Sequence, residues 1–197
     1  MRTITIERQY ASGGREIARR ISERLGIPFY DGQLLIMAAE RFGLNPGVMK
    51  ENDEKVNRSF LYSVAEAVEN FSGSDRGMLP YKIYEAQAET IRRLALEGPC
   101  IFIGRCAGEI LKEAGRNPLN VFIYASSMEE RRERANQVDK VPMMNADSYI
   151  KMKDKQRRGY YKQYAEKDWG DPMNYDLCLN SSRLGYEACV ELIVRAV

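Results

Sequence analysis

Five short apolar runs punctuate this chain, and the segments between them are long enough for helices. The runs are "RTITI" (2–6), "GIPFYD" (26–31), "PCIFIG" (99–104), "NVFIYA" (120–125) and "YDLCLN" (175–180). "CIFI" and "VFIY" are apolar without alternation, the pattern of strands covered on both faces. Strands separated by helical segments build an α/β domain around a parallel sheet with right-handed crossovers. Ligands of such sheets bind beyond the carboxyl ends of the strands. That constraint says where chemistry should be sought before any motif is named.

The intervening segments read as follows. After the first run, Ile17, Ile21 and Leu25 fall on one stripe at four-residue spacing, and Gly26 ends that helix. "GQLLIMAAERFG" and Val56 to Phe71 read as helices, with "GSDRG" as a turn. "PYKIYEAQAETIRRLALEG" is a long helix with Pro80 at its start and Gly98 past its end. "RCAGEILKEAG" follows the third run. Ser127 and Glu130 form a capping box for a helix beginning "MEERRER". "NQVDKVPMMNAD" is polar and interrupted by proline, so it reads as a lid loop. A charged helix then runs from about Asp147 to Tyr164, and "GYEACVELIVRAV" closes the chain.

Composition narrows the chemistry. With 197 residues the chain suits one domain, and 44% hydrophobic content supplies a core. A net charge of +2 gives no reason to expect nucleic-acid binding. Arginine outnumbers lysine 20 to 10, which favours bidentate phosphate recognition, although most of these side chains belong on solvated helix faces. The absence of histidine removes His-based catalysis and His-ligated metals. Cys100, Cys106, Cys178 and Cys189 lack metal spacing and read as reduced thiols of a cytosolic protein. No apolar run is long enough to span a membrane, and no signal-peptide pattern opens the chain.

Three motifs lie where the sheet should bind ligands: "QYASGGRE" (9–16), "YDGQ" (30–33) and "GRCAG" (104–108). The first resembles a phosphate loop without its lysine. In the pattern GxxxxGK[ST], Gly13 fits, but Gly14 stands in the lysine position and Arg15 in that of the magnesium-binding hydroxyl. Gly13 and Gly14 would let main-chain amides approach phosphate oxygens, and Ser12 could add a hydroxyl. Arg15 could supply the charge one position late. Glu16 could face a metal through water or simply favour the helix start. A tight strand-to-helix turn with no ligand accounts for the loop equally simply.

Arg105 follows a buried strand, where a charge needs a cleft or a partner. Arg131 and Arg134 share a helix face, as do Lys153 and Arg157, while Arg158 points elsewhere, towards Asp154. Arginines on both sides of a flexible loop could close over an anion, or could simply stitch a salt-bridged hairpin. Asp31, at the end of the second run, reads equally as a helix cap.

Taken together, "ITIERQYASGGREIARRISERLGIPFYDGQLL", "IFIGRCAGEIL", "VFIYASSMEERRER", "KMKDKQRRGYYKQY" and "NYDLCLNSSRLGYEACVELI" resemble the cytidylate kinase-like family, within the P-loop nucleoside monophosphate kinases. The resemblance implies a three-layer α/β/α P-loop fold with a mostly parallel five-stranded sheet and a helical lid. It implies one domain over 1–197, an acceptor-side helical insertion at about 45–80 and a lid at about 131–158. Ser12, Gly13, Gly14, Arg15 and Glu16 would meet the phosphates of ATP as donor. Asp31 and Arg105 would meet the acceptor, and Arg131, Arg134 and Arg157, with Arg15, the transferred phosphoryl group. Mg2+ would be held mainly by phosphates and water, with no protein metal ligand assigned. The missing lysine and hydroxyl, and Cys106 where cytidylate kinases carry Asp, depart from the family pattern.

Three functions remain open at this point. One is a kinase for a nucleoside monophosphate such as CMP, another a degenerate nucleotide- or anion-binding protein without transfer, and the third a kinase for another small phosphate acceptor. Asn45 to Pro80 carries no base-reading signature and could equally form a homodimer surface.

Overall fold

The computed structural model describes residues 1–31 and 79–197. The helices expected at 32–43 and 56–71, the turn at 73–77 and nearly all of the insertion expected at 45–80 lie outside the described residues. The five apolar runs all contain strands: β1 (Ile4–Arg8), β2 (Phe29–Tyr30), β3 (Ile101–Ile103), β4 (Leu119–Tyr124) and β5 (Leu177–Asn180). They form one sheet in the order β2-β3-β1-β4-β5, all parallel. In register, Ile4 faces Ile101 on one side and Leu119 on the other, and Val121 faces Leu177. The six helices among the described residues are α1 (Gly14–Leu25), α2 (Leu79–Glu97), α3 (Ala107–Glu113), α4 (Met128–Asp139), α5 (Ala146–Ala165) and α6 (Ser181–Ala196).

The chain divides into two compact units, 1–29 with 98–197, and 30–97. In the second, α2 carries Pro80 in its first turn and ends just before Gly98, and its Tyr84, Ala88, Ile91 and Ala95 are buried at helical spacing. In the first, strand alternation sorts the central strand's side chains. Ile4 and Ile6 pack with Ile17 and Ile21 of α1 and with Cys189, Val190 and Ile193 of α6. The stripe read from α1 is that contact: Ile17 and Ile21 are fully buried, and Leu25 packs at its edge. The four cysteines are free thiols, Cys178 half-buried and the others buried. No helix among the described residues is long and apolar enough to cross a membrane.

Two local readings change in detail. The Ser127 hydroxyl does cap α4, accepting from the Glu130 amide at 3.2 Å, but the reciprocal arm of the box is absent. The Ser127 amide instead lies 3.3 Å from the Ser182 hydroxyl, which can accept its hydrogen bond. The segment read as a lid loop is mostly ordered. Asn136–Asp139 complete α4, Met143–Asn145 form a 3-10 turn, and Val141 is buried. The Asn136 side-chain Nδ2 donates to the Val141 carbonyl at 3.0 Å, fastening the short connection.

On the other sheet face, Thr5 donates to Asn120 Oδ1 at 2.6 Å, both side chains being buried. Gly108 of α3 sits over this pair: a Cβ there would overlap Asn120 Oδ1 and stand 3.1 Å from Thr5 Oγ1. On helix propensity alone, Gly108→Ala would stabilise by about 1 kcal/mol. Crowding against a buried, bonded amide outweighs that gain, so the substitution should destabilise by about 1–3 kcal/mol in urea unfolding. A stabilised variant would show that α3 can lift off the sheet.

Candidate functional site

The sheet ends β1 and β3 side by side, and each runs into a left-handed turn before a helix. After β1, Gly13 has φ 81° and forms the N-cap of α1, where no side chain caps the helix start. The first helical hydrogen bond runs from the Ile17 amide to the Gly13 carbonyl at 3.0 Å. The first-turn amides that precede it point along the helix axis, where the helix dipole favours an anion. A Cβ at Gly13 would overlap the Tyr186 ring, 2.6 Å from its hydroxyl oxygen, so glycine is required there for space as well as conformation. Tyr186 follows the non-helical Gly185 of α6, and that break delivers the ring.

The loop's shape is set by α4 and α5. Arg131, 4% exposed, donates to the Tyr10 carbonyl through Nε at 2.9 Å and Nη2 at 2.7 Å. Nη2 also meets Asp154 Oδ2 at 2.6 Å, and Asp154 Oδ1 accepts the Tyr10 amide at 2.7 Å. Both polar groups of the Tyr10 backbone are thus held by one buried ion pair. The Tyr10 ring packs with Ala135, Val141, Ala146 and Ile150, and its hydroxyl bonds Asp139. Arg157 donates to the Arg8 carbonyl at 3.0 Å and lies over the Tyr10 ring. The expected partner of Asp154 was Arg158; the structure gives it Arg131, which reaches inward between the helices. Arg131 therefore braces the loop.

Ser12 is also turned inward. Its buried hydroxyl is placed to donate to the Gln9 carbonyl at 2.9 Å, with the Ile123 carbonyl at 3.2 Å. Ser181 in turn donates to the Ser12 carbonyl at 2.7 Å. The Ser12 hydroxyl thus ties the loop to its own start and to β4. Arg15 is exposed on the first turn of α1. Glu16 accepts hydrogen bonds from Arg19 and Arg20, which hold its carboxyl down to about 2. Arg134 lies over the Tyr186 ring at 5.3 Å, with Arg20 over the same ring at 5.8 Å. Asp31 belongs to the second unit.

After β3, Gly104, Arg105 and Cys106 are all left-handed, with φ of 72°, 62° and 56°. Two consecutive non-glycine residues in that region cost about 1–3 kcal/mol each and persist only where the surroundings hold them. Glu7 is one such hold. Its carboxylate accepts from the Cys106 amide at 3.4 Å and from the Trp169 indole at 3.1 Å. The turn projects Arg105 over the Tyr160 ring, 5.7 Å from its centroid. The Cys106 thiol is buried, and burial followed by the charge of Glu7 pushes its pKa far up.

Arg15 cannot ligate a cation, Glu16 is engaged by two arginines, and the Ser12 hydroxyl is committed to carbonyls. Among the described residues no group of three His, Cys, Asp or Glu side chains is arranged to hold a metal. Sequence reasoning missed Glu7, Arg8, Tyr10, Tyr186 and Trp169. The first two carried a usable signal: a charged pair at the end of an otherwise apolar central strand, where ligands of parallel sheets bind.

The sequence model of the cytidylate kinase-like family matches residues 3–183. No functionally curated protein matches the chain. Among solved structures, an uncharacterized protein from Eubacterium ventriosum is 24% identical, with TM-score 0.71, covering 100% of this chain and 98% of its own. Shikimate kinase from Bacteroides thetaiotaomicron is 15% identical, with TM-score 0.51, over 98% of this chain and 96% of that one. Shikimate kinase from Acinetobacter baumannii, in complex with shikimate, is 13% identical, with TM-score 0.52, over 100% and 92%. The fold is that of the P-loop kinases.

Two measurements check this description of the site. Arg131→Ala leaves the half-buried Asp154 without its cation and should destabilise by about 1–3 kcal/mol. Because both residues act on Tyr10, Arg131→Ala with Asp154→Ala should cost clearly less than the two single losses combined. Additive losses in chemical unfolding would separate the two residues. For Glu16, the lowered pKa means that its contribution to stability is complete above about pH 4.5 and is lost as pH falls towards 2. NMR titration of its side-chain carboxyl should give a pKa near 2, rising towards 4.5 in Arg19→Ala with Arg20→Ala; an unchanged value would exclude the arginines as the cause.

Proposed function

We infer a phosphotransferase from the premise that this chain belongs to the cytidylate kinase-like family. It moves the γ-phosphoryl group of ATP to a nucleoside monophosphate such as CMP. One observation carries the reading: the start of α1 at Gly13, uncapped by any side chain, opens at the same sheet edge as the turn that bears Arg105.

In this reading the donor phosphates lie on the amides of residues 12 to 16, and Arg105 holds the acceptor phosphate. An acceptor phosphate oxygen forms the new bond to the γ-phosphorus as the bond to the β,γ-bridging oxygen breaks, and ADP leaves. Such a transfer depends on positioning and on charge placed in advance. The braced loop favours the first, and Arg134 and Arg157, beside the loop on α4 and α5, favour the second. Magnesium would be held mainly through the ATP phosphates and water.

A binding protein without transfer is favoured by a different observation. Arg131 and the Ser12 hydroxyl, two groups of the expected machinery, are engaged within the protein. A third reading keeps transfer but takes another small phosphate acceptor.

Release of ADP from ATP, measured across a panel of nucleoside monophosphates, separates these. The expected result is turnover with CMP above the other acceptors. Arg105→Ala should lower kcat/KM for the acceptor by roughly 100-fold or more. Stabilisation by ATP without turnover of any monophosphate would support binding alone.

A further inference from the structure

We propose that Arg8 supplies the cation that this phosphate loop lacks at position 14, an inference that rests on the reading of the loop as a polyphosphate site. Gly14 stands where the pattern has lysine. A Cβ at Gly14 would stand 2.8 Å from Arg8 Cβ and 3.0 Å from Arg8 Cγ. Across the sheet edge, a Cβ at Gly104 would overlap Arg8 Nη1. The side chain of Arg8 therefore runs between two glycines, from the start of α1 to the turn after β3. A side chain at either position would displace it. The missing lysine and the course of Arg8 are two sides of one steric arrangement.

That course brings the guanidinium beside the turn that carries Arg105, at the carboxyl edge shared by neighbouring β1 and β3. A charge there lies between the donor loop and the residue proposed for the acceptor phosphate. Its root is fixed, because the Arg8 carbonyl accepts from Arg157 at 3.0 Å. A planar guanidinium can bond two phosphate oxygens at once, where an ammonium acts as a point charge. Glu7 Oε1 lies 4.0 Å from the Cβ position of Gly104, so a carboxylate neighbours this cation and bound phosphate must compete with it. Arg15, exposed on α1, is the lesser contributor.

The test measures calorimetric binding of inorganic tripolyphosphate and of ATP, with a melting temperature for each variant. Arg8→Met keeps an unbranched chain between the glycines and removes only the charge. It should fold and lose roughly tenfold or more in affinity for both probes, a larger loss than that of Arg15→Ala. Gly14→Lys alone should lower the melting temperature, because its Cβ meets Arg8. The exchange Arg8→Gly with Gly14→Lys should relieve that clash and regain tripolyphosphate binding over Arg8→Met. Wild-type protein that binds neither probe would overturn the polyphosphate reading, and this inference with it. Wild-type binding that Arg8→Met leaves intact would overturn the inference alone. If Arg8→Met does not fold, the exchange decides: a folded exchange variant that binds no tripolyphosphate overturns the role of position 8.

Discussion

A buried ion pair holds the loop after β1 in shape, and the rest of the site is built around it. Arg131 takes the Tyr10 carbonyl, Asp154 takes the Tyr10 amide, and the two charges meet at 2.6 Å. A loop that turns through left-handed Ala11 and Gly13 has few backbone bonds of its own, so it needs partners from outside. Helices α4 and α5 provide them, and the Tyr10 ring is buried among their apolar residues. Buried ion pairs are costly to assemble, and their use here fits the need to fix one backbone geometry more than a need for stability. Amides held in place before an anion arrives do not have to reorganise when it binds.

This bracing also changes what α4 and α5 can do. Arginines flanking a mobile connection suggest closure over substrate. Here Arg131 is tied to the loop, Arg157 reaches the Arg8 carbonyl, and Val141 is buried beneath the short connection. Any closing motion of this hairpin would carry the loop after β1 with it or break the Arg131–Asp154 pair. Arg134 instead lies over the Tyr186 ring beside the loop.

The sheet and its helices were legible because burial writes itself as periodicity. Ile17, Ile21 and Leu25 at four-residue spacing face the core, and "CIFI" and "VFIY" are covered on both sides. The site was legible in position and less so in role. Spacing put Arg131 and Arg134 on one helix face, but a shared face does not say which of the two points inward. That was decided by Asp154 and Tyr10, far apart in sequence from each other. Ser12 looked like a phosphate ligand because serines in such loops often are one; the Gln9 and Ile123 carbonyls that turn its hydroxyl inward have no local signal. The strained Arg105 and Cys106 gave none either, since left-handed backbone is announced by glycine and these positions lack it.

The two glycines that flank Arg8 show why a missing motif residue is not a missing function by default. Read along the chain, Gly14 is a deletion of the lysine and Gly104 an ordinary turn residue. In space they are the walls of one passage, and the side chain filling it comes from the end of the central strand. A lysine on α1 rides on the same helix whose amides face the phosphate. An arginine on β1 is rooted instead in the sheet, with its carbonyl tied to α5 and a carboxylate beside it. Moving the charge from helix to strand couples it to β3 and its strained turn, so that the groups proposed for donor and acceptor share one sheet edge. The same change forbids a side chain at two further positions, which makes the loop less tolerant of substitution than its short motif suggests.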